Sequence, residues 1–195
     1  MNKGPQNKKH QALLLTAREL FWRHGFRRVS IEEICREAGV SKMTFYRHFE
    51  NKKALAMAVY DEVIASSTDT FRQIFQDESS STAEKMQQLL SIKMQGTNDI
   101  SREFLQDFYN NPELGLTTYI ETRTRESWQE VISIFTQAQE KGTFRKDFKP
   151  EFLLILEQKL QELMNNETLL GMYDSPQDLI MEMTNIMVYG IAPRD

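Results

Sequence analysis

The chain is poor in the residues that interrupt or cross-link a helix: among 195 residues it has 8 Gly, 5 Pro and one Cys. A lone thiol, Cys35, excludes an intrachain disulfide and fits a reducing compartment. Three histidines and that thiol show no metal-ligand spacing, so neither a metal nor another cofactor is expected. No apolar run approaches the roughly 20 residues that a membrane span requires. The basic start, "MNKGPQNKKHQ", leads into an amphipathic segment rather than an apolar h-region with a cleavage site. Neither a signal peptide nor a membrane partner is expected, and the expected location is the cytoplasm. With so little Gly and Pro, and no alternating β-branched runs, a sheet-rich fold is excluded and the chain reads as all-α.

What the chain does have is an uneven charge. Residues 1–53 hold 12 of the 24 Lys and Arg but only 5 of the 28 Asp and Glu, a net of +7 against −11 for the remainder. A basic quarter joined to an acidic remainder divides the work: one part meets a polyanion and the other does not. We therefore expect a polyanion-facing domain over 1–53 and a larger helical domain over 54–195.

Helical periodicity places a first helix over Lys9 to His24, with Leu13, Ala17, Leu20 and Phe21 on one face and Gly25 at its end. A second starts at Ser30, an N-cap with Glu33 three residues on as a capping box, and stops at Gly39. A third opens at Ser41 and lasts about two turns. Helices this short are unstable alone and must pack on one another. A long fourth helix is expected over Lys52 to Phe75, roughly 35 Å at 1.5 Å per residue. Further helices are expected near Thr82 to Gln95, Ser101 to Tyr109, Leu114 to Glu140, Pro150 to Asn165 and Pro176 to Gly190. The last two open with proline near the first helical position, where its missing N–H costs nothing.

Helix, tight turn at Gly39, short helix and a bracing helix before them are the parts of a helix-turn-helix DNA reader. Cys35, four residues before that Gly, reads as a small core residue, and Phe45 faces back toward Ile31 and Ile34. The segments around it carry more specific information: Ala17 to Phe21, Gly25 with Phe26, Ser30 to Ser41, Tyr46 to Phe49, and Lys52 to Leu55. Together they resemble the N-terminal signature of the TetR family of bacterial transcriptional repressors, over about residues 10 to 60. Cys35 stands where that family usually has Ala, a change between small residues that leaves the fold intact.

Positions give the expected roles. Lys42, Met43 and Thr44 occupy the first turn of the third helix, which in helix-turn-helix proteins points at base edges. Lys42 can donate to guanine, and the methyls of Met43 and Thr44 can meet thymine. Ser30 and Ser41 place helix N-termini and hydroxyls near phosphates. The resemblance implies that Tyr46 and His48 clamp the sugar-phosphate backbone and that Lys52 meets a phosphate. Arg28 and Arg47 complete the set, with Arg27 beside them.

One such unit engages too few base pairs to compete for a genomic site, which argues for a homodimer on a palindromic operator. The apolar stripes of the last two helices supply the candidate dimer face: Leu156, Leu160, Leu163, Leu179, Met183, Ile186 and Met187. The resemblance further implies a small-molecule effector pocket among the middle helices, for which Phe71, Phe75, Met94, Phe104, Phe108, Tyr119 and Trp128 are the candidate lining. That lining suits an apolar or aromatic ligand. Ligand-released repression is the expected function, with a protein-docking C-terminal domain as the alternative. An enzyme would need a nucleophile with its base, paired acids or a metal; Glu121, Glu126 and Asp107 are the carboxylates it could draw on, and no catalytic activity is expected.

Overall fold

In the computed structural model, which describes residues 5–164 and 166–192, the described residues form ten α-helices, one 3-10 turn and no strand. α1 is Pro5–Arg28, α2 Ile31–Glu37, α3 Lys42–His48, α4 Lys52–Gln76 and α5 Thr82–Gly96. α6 is Arg102–Tyr109, α7 Thr117–Glu140, α8 Pro150–Leu163, α9 Glu167–Leu170 and α10 Pro176–Ile191. None of these helices is long and apolar enough to cross a membrane.

Local chemistry accounts for most of the boundaries. The capping boxes expected at Ser30/Glu33 and Ser81/Glu84 form, and a third, Ser175/Asp178, opens α10. Gly25 breaks the helix where expected: at φ 76° and ψ 168° its backbone is not helical, and a separate short helical stretch follows it to Arg28 within the range given for α1. The helix expected from Leu114 begins instead at Thr117, because Pro112–Leu114 winds as a 3-10 turn closed by Gly115 at φ 63°. Asn165, the expected end of the helix opened by Pro150, lies outside the described residues.

The chain divides into two compact units. One runs to Val63 and takes in Asp99–Ile120; the other comprises Ile64–Asn98 and the chain from Glu121 onward. In the first, α1 to α3 and the start of α4 enclose Leu13, Ala17, Phe21, Ile34, Phe45 and Leu55, all fully buried. The α6 segment joins them because its own aromatics complete that core. Phe104 and Phe108 lie 4.3 and 6.2 Å from the Trp22 ring, and Phe108 also meets Phe21 and Phe26. The N–H of Ser101, the N-cap of α6, donates to the Trp22 carbonyl at 2.9 Å. The second unit is built on Phe75, Phe135 and Phe144, with Ile74, Met86, Leu153, Val188 and Ile191 around them.

Candidate nucleic-acid interface

The α2–α3 turn fixes the interface. The Ala38 and Val40 N–H groups close it on the Ile34 and Cys35 carbonyls at 2.9 Å. Gly39 sits between them at φ 65° with open space where a Cβ would lie, so its glycine answers to the left-handed backbone alone. Cys35 is buried as a free thiol, and burial raises its pKa, which suits a packing residue.

α3 then starts from Ser41, whose hydroxyl accepts the Thr44 N–H at 3.1 Å and pairs with the Thr44 hydroxyl at 3.0 Å. Phe45 and Phe49, four residues apart, are buried on one side of the helix. Lys42, Met43, Tyr46 and Arg47 are thereby left exposed on the other, with 68% of Met43 and 57% of Tyr46 accessible. Large apolar side chains held open beside cations form a surface suited to base edges and sugar-phosphate. Ser30, Ser41 and Arg28 are exposed as well, while Thr44 and His48 are half-buried.

Three contacts were not legible in the sequence. Lys42, the expected guanine donor, has its ammonium paired with the Glu32 carboxylate of α2. That hydrogen bond raises the lysine pKa and lowers the glutamate pKa. Arg27, itself exposed, is tied to α6: its backbone N–H donates to the Asp107 carboxylate at 2.8 Å and its Nε lies 3.5 Å from the same group. Asp107 is buried against α1, so the carboxylate flagged as possible catalytic chemistry is instead an anchor of α6.

Lys52 requires a correction. Expected to meet a phosphate, it directs its ammonium inward, donating to the carbonyls of Phe26 and Val29 at 2.7 Å and lying 4.3 Å from the Phe26 ring centroid. Burial lowers its pKa, against a smaller upward pull from Asp107. The last turn of α1 and the residue after it leave these carbonyls without helical partners, and the first turn of α4 passes close enough to supply one.

The candidate effector lining is divided between the two units. Phe104, Phe108 and Tyr119 lie in the first unit, the two Phe in its core and the Tyr119 hydroxyl donating to Asp61 at 2.7 Å. Phe71, Phe75 and Trp128 pack in or against the core of the second, and Met94 is largely exposed. The α6 aromatics belong to the first unit, where they complete the core around Trp22. The second unit does hold an open groove of about 310 Å³ between α4 and α7, lined in part by Thr68, Asp69, Arg72, Arg123, Glu126 and Glu130. Asp69 and Glu130 bracket Arg72, at 2.5 Å from Asp69, and Arg123 pairs with Glu126 at 2.5 Å.

Of the candidate dimer residues, Leu179 is buried in its own subunit, and Leu156, Met183 and Met187 are half-buried. Leu163 and Ile186 are exposed, and the Leu160 side chain lies outside the described residues. Phe152, Ile155 and Tyr189, absent from the expected set, are also more than half exposed. Periodicity alone could not separate the inward side of α8 and α10 from the outward side, because both are apolar.

Residues 13–59 match the family model described as bacterial regulatory proteins, tetR family. The transposon Tn10 TetC protein of Escherichia coli is 43% identical over 67 residues, 31% of this chain and 34% of that protein. The regulator YerO of Bacillus subtilis, described as an uncharacterized HTH-type transcriptional regulator, is 35% identical over 71 residues, 36% of this chain and 25% of that protein. The matches thus span a quarter to a third of these relatives' own length. Over almost the whole chain the fold is that of the regulatory protein TetR from Rhodobacter sphaeroides, with a TM-score of 0.68 and 18% identity, covering 94% of this chain and 98% of that one. The regulator FadR from Bacillus subtilis, solved with stearoyl-CoA, has a TM-score of 0.63 and 16% identity, covering 93% and 98%.

Proposed function

Because the chain belongs to the TetR family of bacterial regulatory proteins through residues 13–59, we propose that it is a homodimeric repressor that binds a palindromic operator and is released by a small molecule. It regulates transcription and is not an enzyme. The observation that carries the reading is the outward face of α3, where Lys42, Met43, Tyr46 and Arg47 stand exposed while Phe45 and Phe49 hold the opposite side in the core. Residues 1–53 read DNA in this proposal, and 54–195 pair the subunits and sense the effector. Lys42, Met43 and Thr44 address bases; Arg28, Ser30, Ser41, Tyr46, Arg47 and His48 address the backbone. Lys42 exchanges Glu32 for a base edge on binding.

Phe152, Ile155, Leu163, Ile186 and Tyr189 supply the self-complementary apolar face of the dimer. Half-sites one helical turn apart demand about 34 Å between the two reading helices, so a shift of a few ångströms on ligand binding releases DNA. The α4–α7 groove sets Ile64 and Ala65 beside ion-paired charges, a mixed lining that suits an effector with both apolar and polar parts. The stearoyl-CoA of FadR shows that the fold can hold a large ligand in that protein; the ligand class of this chain rests on its own groove.

The test is selection of bound duplexes from a random DNA pool at fixed, near-physiological salt. A recovered palindrome supports the dimeric reader. Recovery of no motif, with binding erased as salt rises, refutes sequence-specific repression. A second reading, in which the exposed apolar face docks a different protein, gains ground if the purified chain is monomeric by light scattering.

A further inference from the structure

A carboxylate stands on the face that α3 offers to DNA. Of the three acidic residues of α2, Glu33 closes the capping box on Ser30 and Glu37 pairs with Arg36 at 3.6 Å. Glu32 reaches instead across the turn to α3, where its carboxylate accepts from the Lys42 ammonium, ten residues on. Both side chains are more than half exposed, so the pair is no buried strut and adds little to the hold of α2 on α3. The shared hydrogen bond lowers the Glu32 pKa and raises that of Lys42, which keeps both charged across the neutral range. Arg28 and Arg47 differ from Lys42 in this respect. Neither has a carboxylate partner among the described residues, and the Arg47 guanidinium meets the weak acceptor Sδ of Met43 at 3.6 Å. Attraction to the phosphate backbone counts free cations, so a lysine already neutralised adds nothing to it and its carboxylate opposes it.

We propose that Glu32 is a specificity-determining residue: it holds Lys42 back from the phosphates of ordinary DNA and yields the ammonium to a guanine edge in the operator. The proposal rests on the DNA-binding reading above. A phosphate offers the ammonium another anionic acceptor in place of the one it has, but it carries no donor for the carboxylate left behind and sets a second negative charge beside it. On ordinary DNA the pair therefore stays closed. A G·C pair answers both partners at once: guanine O6 and N7 accept side by side from the ammonium, and the cytosine N4 amino group donates to a carboxylate in the same groove. Lys42 carries the base contact, and Glu32 sets what can compete for it. Discrimination then comes from weakening the wrong complexes as much as from strengthening the right one.

The test measures affinity against salt on a duplex selected from a random pool by the parent chain and on a mixed-sequence duplex of the same length without that motif. The full chain, Glu32→Gln, Lys42→Gln and the double variant are compared. Glu32→Gln keeps the side chain's shape and removes its charge. It should bind the mixed-sequence duplex about fivefold tighter at about 0.1 M salt, with the slope of log affinity against log salt steeper by about 0.9, the count for one added phosphate. Its gain on the selected duplex is smaller, so the ratio of the two affinities falls, and selection repeated with this variant returns a weaker guanine preference. In the Lys42→Gln background the same change leaves the slope where it was, because Glu32 acts through that ammonium. Both side chains being exposed, thermal unfolding should leave every variant near the parent's Tm. An unchanged slope and ratio in Glu32→Gln overturns the proposal alone, as does an equal gain in both backgrounds, the mark of general charge repulsion. Failure of the parent chain to recover any motif overturns the DNA-reading function beneath it.

Discussion

Replacing Lys52 by Met separates two roles for one side chain. Met keeps the apolar stem and removes the ammonium, which in the native chain donates at 2.7 Å to both the Phe26 and Val29 carbonyls. A hydrogen bond to a charged donor contributes about 1.5 to 3 kcal/mol. The pair is half-buried, and removing the ammonium recovers part of its desolvation cost, so the net loss is about 2 kcal/mol. For a chain of this size that is a fall of about 4 to 8 °C in Tm. The sign with pH follows from the lowered pKa: between the folded value and the ordinary lysine value of 10.5 the unfolded chain holds more protons, so native stability gains with rising pH there. Lys52→Met lacks that gain. Urea and thermal unfolding give the stability, and duplex affinity against salt gives the number of phosphates neutralised. A structural strut predicts lost stability with an unchanged salt slope. A slope smaller by about 1 with unchanged stability would mean that Lys52 meets phosphate after all, and would refute the reasoning.

Gly25→Ala should cost about 3 kcal/mol in urea unfolding: its backbone lies in a region that only glycine occupies readily, and a new Cβ would stand 2.8 Å from the Asp107 carboxylate and 3.0 Å from the Glu103 Cβ. Ile186→Arg combined with Tyr189→Arg should yield a folded monomer by light scattering with Tm at high dilution nearly unchanged, since both positions are about two-thirds exposed; a persisting dimer would move the interface elsewhere. Asp77 accepts from the Ser79 N–H and the Ser79 and Ser80 hydroxyls, which hold its carboxyl at about 2 against 3.8. A depressed carboxyl stabilises above the unfolded value and loses that contribution as pH falls through the folded one, so the Tm gap between the parent and Asp77→Ala should be constant above about pH 4 and close toward pH 2.

Contacts close in sequence were readable without the structure. Ser30 with Glu33 and Ser81 with Glu84 form the capping boxes that their three-residue spacing announces, and Gly39 turns because nothing else fits its backbone as readily. The outward set Lys42, Met43, Tyr46 and Arg47 follows from the position of Phe45 and Phe49 on a 3.6-residue period. Helix type and the three-helix reader are therefore properties of local pattern, since propensity, capping and periodicity act over a few residues.

The aromatic residues of the middle helices were the opposite case. Phe104 and Phe108 have the composition of a ligand pocket, yet they fill the core beside Trp22, some 80 residues earlier in the chain. Neither that partnership nor Lys52 turned toward Phe26, Asp107 beneath Arg27, and His10 on His48 leaves a trace in spacing. The sequence by itself determined the helices, their caps and the surface offered to DNA. Only the tertiary structure decided which carboxylate and ammonium are buried, and which apolar face stays open, because burial is set by neighbours distant in the chain.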